Sequence, residues 1–253
     1  MKKLIILAAI LIFTVACQDN GSIPNDPFAE ENINNDITTV DAEGATEVNL
    51  ELMKANLTDS VSLTPEEAEN LQFMREEEKL ARDVYLAYYR TWDLHPFTRI
   101  ARSENNHTLA IKLLLDKYGL TDPFIEEEGA FTNQDLKALY DQLILSGSDS
   151  LASAIYNALY IEEKDIADLE DAISKFQNED LLKVYGYLLM ASHNHLRAFY
   201  KVATRMGIEY TPTLITQEYF DEVVNSAFEH GKGRWRWMKH KKHNGKHNGH
   251  GKW

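Results

Sequence analysis

Carboxylate and imidazole side chains interrupt otherwise apolar helical stripes of this sequence. Five of them stand near the centre of such a stripe: Glu77, Glu104, His107, Glu162 and His195. Burying an ionisable group is costly unless the group is paired or coordinates a metal ion. Carboxylates and imidazoles that converge from several helices can bind iron or manganese. The pattern therefore predicts a metal site inside a helical domain, with Fe or Mn as the expected ion and Zn as a further candidate.

The sharpest signal is the pair Glu104 and His107, which share the apolar stripe of Ile100, Ile111 and Leu114. A Glu-x-x-His spacing lets one helix offer a carboxylate and an imidazole to the same ion. The spacing alone is common by chance, so a buried hydrogen-bonded pair is the alternative interpretation.

The other candidates are less specific. Glu77 belongs to an acidic triplet that is also typical of a solvated face, and His195 has the alternative of a core histidine with a hydrogen-bond partner. Glu162 has the alternative of pairing with an arginine on a neighbouring helix. Those arginines are Arg82, Arg99, Arg102 and Arg197. Further candidates, as ligands or as contacts of ligands, are Asp165, Ser192, Glu78 and Glu163, whereas His193 is expected at the surface or beside the ligands.

Capping residues, prolines and glycines divide residues 61–230 into helices. Four long helices are expected at about 64–90, 96–119, 150–176 and 178–207, and two short ones at about 132–147 and 217–230. No stretch alternates with period two, so no sheet is expected. The predicted fold class is all-α, a four-helix bundle with a helical crossover between the second and third long helices, as in ferritin-like folds.

The N-terminus is typical of an export signal, which we place at residues 1–16. Lys2 and Lys3 precede an apolar run over residues 4–15, and small residues follow it. The segment Thr14-Val15-Ala16-Cys17 resembles a lipobox, which implies a lipid anchor on Cys17 and attachment to a membrane. Gln18 after the cysteine favours the outer membrane of a diderm bacterium. The alternative is an ordinary secretory signal with a chance cysteine.

Charge is distributed unevenly along the chain, whose formal net charge is -14. Residues 17–230 carry 16 basic and 40 acidic side chains, which argues against nucleic acid as a partner. Residues 17–60 are acidic and poor in aromatic residues, so we expect a disordered tether. Residues 231–253 are rich in Lys, His and Gly and are also expected to be disordered. This tail has two alternatives, loose metal binding by its histidines or adhesion of a cationic segment to a surface.

Several ordered motifs together resemble the bacterial and archaeal family known as domain of unknown function 2202. They are REEEKLARDVY (75–85), IARSENNH (100–107), LYDQL (139–143), IEEKDIADL (161–169) and SHNHLRAF (192–199). The resemblance covers about residues 65–207 and implies membership of the ferritin-like superfamily. Ferritin-like relatives imply a Glu, a Glu-x-x-His, a Glu and a second Glu-x-x-His. In this chain these positions are Glu77, Glu104 with His107, Glu162, and His195, with Ser192 in place of the last glutamate.

Two functions are consistent with these features. The first is a cell-envelope lipoprotein whose Fe or Mn site serves redox chemistry, such as oxygen or peroxide reduction, or metal handling. The second is a metal-free helical binding or scaffolding module at the cell envelope. In that case the inward acids and histidines would form a hydrogen-bonded network satisfied by Arg197 and water.

Overall fold

The computed structural model describes residues 36–230 of the chain. The predicted signal segment, Cys17, the first part of the predicted tether and the tail 231–253 lie outside the described residues. The described elements are the strands β1 (Thr38–Val40) and β2 (Thr46–Val48) and the helices α1 (Leu50–Ala55), α2 (Pro65–Trp92), α3 (His95–Tyr118), α4 (Gln134–Gly147), α5 (Leu151–Lys175), α6 (Glu179–Met206) and α7 (Gln217–Asn225). Within residues 36–230, no helix combines the length and the apolar character that a membrane span requires.

The helix ends follow the capping signals of the sequence. At the start of α2 the Thr64 side chain accepts a hydrogen bond from the backbone N–H of Glu67, whose carboxylate accepts one from Thr64 N in return. The helices α3 and α6 end at Gly119 and Gly207, with φ values of 65° and 68° that favour glycine. The prediction of a mainly helical chain is confirmed.

Four long helices enclose the core. Helix α2 packs against α3 and α5, and α6 packs against α3 and α5, while α4 lies against α2 and α5. Large side chains fill the space between them; Tyr85 and Phe97 each pack on Phe199, with ring centroids 5.1 Å and 5.7 Å away. This arrangement leaves the central turns of all four long helices facing one another.

A buried ion pair fixes the connection between α3 and α4 onto α2. The Lys79 ammonium lies 2.5 Å from the Asp83 carboxylate, and both side chains are fully buried. Lys79 also donates to the carbonyl of Glu127, and Asp83 accepts from Gly129 N at 2.9 Å. Because all these groups pair with one another, the connection can pass close to α2 without leaving a buried charge unpaired.

The expectations of no sheet and of a disordered tether through residue 60 were wrong for residues 38–55. Strands β1 and β2 pair antiparallel, with Thr39 opposite Glu47, and α1 follows them. Thr38, Thr46 and Met53 are buried against the helices. The acidic composition did not prevent folding, because residues of α3 pair with it: the Arg99 guanidinium lies 2.5 Å from the Asp41 carboxylate. Strands of three residues are also too short to show period-two alternation.

Candidate metal centre

Five buried side chains from the four long helices converge at one place. They form two groups that share one member: Glu78, Glu104 and His107 in the first, and Glu104, Glu162 and His195 in the second. Within each group the candidate ligand atoms all lie within 4.8 Å of one another. Each of the five residues is at most 1% exposed. The predicted convergence therefore holds for Glu104, His107, Glu162 and His195, and the fifth member is Glu78.

Glu104 lies between the two imidazoles. Its Oε2 is 2.7 Å from Nδ1 of His107, and its Oε1 is 2.8 Å from Nδ1 of His195. Glu78 approaches the first imidazole to 3.1 Å and Glu162 the second to 3.4 Å. The two rings are nearly parallel, with centroids 5.5 Å apart. Two adjacent three-ligand positions thus share Glu104, which offers one oxygen to each.

The contacts inside this cluster fit a metal ion better than a closed hydrogen-bond network. Among the described residues, four of its atoms have no hydrogen-bond partner: Glu78 Oε1, Glu104 Oε1, Glu162 Oε2 and His195 Nδ1. Glu104 Oε1 and His195 Nδ1 are 2.8 Å apart and yet lack hydrogen-bond geometry. Two ligand atoms that each lie about 2.1 Å from the same ion, with a right angle between the two bonds, would be about 3 Å apart. Buried polar atoms left unpaired in this way point to a ligand that they share.

The electrostatics of the cluster favour added positive charge. Burial alone would lower the pKa of both histidines, but Glu104 and Glu78 raise the pKa of His107 to about 10, and Glu104 and Glu162 raise that of His195 to about 9. Burial raises the pKa of Glu78 to about 7 against the opposing effect of His107. Burial acts in the same direction on Glu104, but the two imidazoles outweigh it and lower its pKa. The raised pKa values mean that the two imidazoles carry protons where a divalent cation would otherwise bind.

Tyr85 borders the second position, whereas Asp165 lies near the carboxylates of α2. The Tyr85 hydroxyl donates a hydrogen bond of 2.6 Å to Glu162 Oε1, which leaves Oε2 toward His195. Asp165 is buried about one turn after Glu162 on α5, but it belongs to neither ligand group. Burial, followed by the nearby carboxylates of Glu77 and Glu78, raises its pKa well above the usual value. Asp165 thus lies near the carboxylates of the cluster without belonging to either ligand group.

The structure does not bring Glu77, a predicted ligand, into either group, and the further candidate Glu78 lies there instead. The Glu77 carboxylate pairs with the Lys164 ammonium of α5. Consecutive helical residues point about 100° apart, so Glu78 faces α3 instead. Helix α2 is buried around most of its circumference at this level, and Glu76 is also buried and accepts a hydrogen bond from the backbone N–H of Thr132. Apolar periodicity could not choose between adjacent glutamates here.

Two further candidates have structural contacts elsewhere. Glu163 accepts hydrogen bonds from backbone N–H groups at 2.6 Å (Thr213) and 2.9 Å (Ile215), and so fixes the segment after α6. The Ser192 hydroxyl donates to the Leu188 carbonyl of its own helix at 3.1 Å. His193, which was expected at the surface or beside the ligands, is buried and forms hydrogen bonds with other side chains. The structure therefore brings none of the three residues into either ligand group.

Three of the four arginines that could have neutralised the cluster pair with other acids, and the fourth, Arg102, is exposed. The partners of the three are Asp83 for Arg82, Asp41 and Glu43 for Arg99, and Glu229 for Arg197. Arg197 also donates to the backbone carbonyl of Val223 near the end of α7. The cluster is therefore not satisfied by the arginine that the metal-free interpretation required.

Two hydroxyl groups contact the imidazoles on the side opposite the carboxylates. Neither was predicted from the sequence. Thr46 Oγ1 lies 3.1 Å from Nε2 of His107 and 3.4 Å from Nε2 of His195. Ser103 Oγ lies 3.1 Å from Nε2 of His195 and 2.7 Å from Thr46 Oγ1. Ser103 precedes His107 by one helical turn, a spacing that could have indicated it. Thr46 had no such signal, because it lies in the acidic segment before the helices.

Comparison with known proteins identifies one family and one archaeal relative. The family described as "Uncharacterized protein domain (DUF2202)" matches residues 67–227. The uncharacterized protein MJ0754 of Methanocaldococcus jannaschii is 44% identical over 173 residues, which cover 68% of this chain and 94% of the relative. The crystal structure of hypothetical protein MJ0754 from Methanococcus jannaschii aligns with a TM-score of 0.67 at 43% identity, covering 68% of this chain and 99% of that chain. All five converging side chains lie within the matched residues, whereas Thr46 lies before them.

Proposed function

We infer the function from the premise that this chain belongs to the DUF2202 family. We propose that its buried carboxylate–histidine cluster binds two divalent metal ions, Fe or Mn, for redox chemistry or metal handling. The observation that carries this proposal is the position of Glu104, with one oxygen beside each imidazole and buried atoms without hydrogen bonds around it.

Each ion would have three protein ligands. Glu78, Glu104 and His107 would bind the first, and Glu104, Glu162 and His195 the second. Oxygen and imidazole nitrogen are ligands that suit Fe, Mn and Zn. Iron or manganese in such a setting supplies one-electron redox chemistry, and any of the three supplies Lewis acidity.

The surrounding residues of the chain would orient the ligands and exclude water. Tyr85 restricts the orientation of Glu162 through its 2.6 Å hydrogen bond. The aromatic contacts of Tyr85 with Phe97 and Phe199 place an apolar layer beside the second position. Because all five ligands are buried, only small reactants such as oxygen or peroxide could reach them without rearrangement.

A ferritin-like architecture is part of this proposal. Four long helices contribute the ligands, and a connection carrying its own helix, α4, joins the second of them to the third. Dinuclear carboxylate proteins of that superfamily place their ligands in the same manner, on facing helices of a bundle. Ser192 differs from the ferritin-like pattern, because it stands where that pattern has the glutamate of the second Glu-x-x-His. Helix α6 therefore contributes His195 and no carboxylate to the two groups.

A place in the cell envelope is also proposed, from the sequence alone. The apolar run before Cys17 and the lipobox-like residues support export and lipid anchoring at that cysteine. The identity of the residue after it supports the outer membrane. The metal site would then operate outside the cytoplasm, tethered to a lipid surface.

Metal content measured with the full-length protein tests the proposed function. After anaerobic loading with Fe(II) or Mn(II) and removal of loosely held ions, elemental analysis should find two equivalents in the wild type. The Glu104→Gln variant should lose both, which separates cluster binding from binding by the histidine-rich tail. Less than about 0.2 equivalents in the wild type, with no thermal stabilisation by metal, would favour the metal-free scaffold instead.

A further inference from the structure

Thr46 contacts both histidines from outside the family-matched domain. It lies in strand β2, is buried, and faces the Nε2 atoms of His107 and His195, on the side opposite the carboxylates. We propose that Thr46 is a positioning residue for the metal site: its one hydroxyl accepts a hydrogen bond from both imidazoles and fixes which nitrogen of each ring faces the ions. This inference rests on the proposed function.

Hydrogen-bond counting leaves Thr46 Oγ1 as an acceptor. A serine or threonine hydroxyl has one hydrogen to donate. Ser103 donates its hydrogen to the Thr46 carbonyl at 2.5 Å and accepts from the Thr46 backbone N–H at 2.6 Å. The Thr46 hydroxyl therefore donates to Ser103 Oγ, 2.7 Å away, since that oxygen has no second hydrogen to give. Only lone pairs of Thr46 Oγ1 remain for the imidazoles.

The two imidazoles must consequently donate from Nε2. For both histidines the acceptor is Thr46 Oγ1, because the two lone pairs of Ser103 Oγ already accept from the backbone N–H and the hydroxyl of Thr46. A neutral imidazole with its hydrogen on Nε2 presents the Nδ1 lone pair to the carboxylate cluster. Metal-binding histidines commonly donate their other N–H to an oxygen in this way, which sets the tautomer and the ring orientation. One threonine thus orients the nitrogen ligand of both metal positions.

The turn that precedes Thr46 holds it in place. Gly44 has φ +92°, and a Cβ atom there would lie 2.8 Å from the Asn194 carbonyl of α6, so the hairpin is packed directly on that helix. The Asp41–Arg99 ion pair joins the same turn to α3. A cleft of about 290 Å³ lies on the outer side, and Thr46 and Ser103 belong to its lining. These two residues therefore lie between the imidazoles and the cleft.

Substitution of Thr46 by Val tests the role of the hydroxyl, because valine keeps the shape while alanine would leave space for a water molecule. In the full-length protein we expect T46V to weaken Mn(II) and Co(II) binding by about 10–100-fold, the usual effect of losing a partner of a metal ligand. The visible absorption bands of bound Co(II) should also shift, and Thr46→Ser should restore both affinity and spectrum. The matched control is Thr38→Val, in the partner strand: Thr38 is equally buried, and its hydroxyl has no hydrogen-bond partner among residues 36–230.

The possible outcomes separate this inference from the proposed function. Wild-type protein that binds no metal would defeat the proposed function itself. Normal metal binding with an unchanged affinity and Co(II) spectrum in T46V would overturn only the role of Thr46, as would an equal loss in T38V, which would indicate hairpin packing. Nitrogen-15 NMR of the Zn(II)-loaded wild type gives a measurement that does not depend on a variant folding. We expect hydrogen on Nε2 of both histidines, and hydrogen on Nδ1 would contradict the proposal.

Discussion

Replacement of Glu104 by Gln should remove metal-induced stabilisation at both positions, whereas replacement of Glu78 or Glu162 should remove about half of it. The reason is geometric, because Glu104 belongs to both ligand groups and each of the other two glutamates to one. Glutamine keeps the size of the side chain and removes the charge that attracts the cation. The expected effect therefore follows the number of positions that each residue serves.

The size of the effect follows from mass action. An ion present at 100 times its dissociation constant stabilises the folded state by about 2.7 kcal/mol per site, so two independent sites give about 5 kcal/mol. For a folded region of roughly 200 residues, 1 kcal/mol corresponds to about 2–4 °C in Tm, so the wild type should gain on the order of 10–20 °C. Variants at Glu78 or Glu162 should gain about half of that, and the Glu104 variant almost nothing.

Thermal unfolding monitored by circular dichroism, with and without Mn(II), measures this difference for each variant. Comparing each variant with its own metal-free form removes any direct effect of the substitution on folding. The control is Glu77→Gln, which alters the neighbouring buried carboxylate that pairs with Lys164. The reasoning would be refuted if the Glu104 variant kept the wild-type shift, or if the Glu77 variant lost as much as the Glu78 variant.

Three further predictions concern stability. Asp83→Ala should cost about 3–5 kcal/mol in denaturant unfolding, since it strands the buried Lys79 ammonium; a smaller loss than in Lys79→Met would contradict this. Burial would raise the pKa of Asp180, but hydrogen bonds from Lys117 and others outweigh it and hold the pKa below its usual value. The resulting stabilisation is present above about pH 4 and is lost as the pH falls through the lowered pKa, so Asp180→Asn should be less stable than the wild type by about 1–2 kcal/mol at pH 7, with the gap closing toward pH 3. Gly44→Ala should cost about 1–3 kcal/mol of hairpin docking, seen as faster hydrogen exchange at Thr46 N, and unchanged exchange there would argue against tight packing of the turn.

Most helix boundaries could be predicted from the sequence, because helix ends depend on the chemistry of the residues next to them. The capping box at Thr64 and the glycines at 119 and 207 set boundaries through the backbone groups next to them. The same holds for Asn178, whose side chain accepts from the first backbone N–H groups of α6. Helix α7 ends at Asn225, and the prediction extended it to 230 because residues 217–230 contain no glycine or proline that would mark its end.

The candidate site was predictable only where a residue's face was unambiguous. Glu104, His107, Glu162 and His195 each occupy a single apolar stripe and meet as expected. Glu78 was assigned a lesser role than Glu77 because burial on nearly every side of α2 makes adjacent positions equivalent in the sequence pattern. Contacts made across long separations left no periodic signal.

The hairpin is the clearest case of such a contact. Thr46 reaches Ser103 and His107 across 57 and 61 residues of chain. Its three-residue strand gains its stability from docking on α3 and not from its own composition. From its composition the segment was predicted to be a disordered tether. Its tertiary contacts instead make it part of the site.

The central claim is that two metal ions lie on either side of the Glu104 carboxylate. Anomalous diffraction from crystals of the full-length protein loaded with Mn(II), recorded at the manganese absorption edge, tests it directly. We expect two peaks, one beside Nδ1 of His107 and one beside Nδ1 of His195, each within about 2.0–2.3 Å of its ligands. A map with no peak at either imidazole, from crystals that contain manganese elsewhere, would contradict the claim.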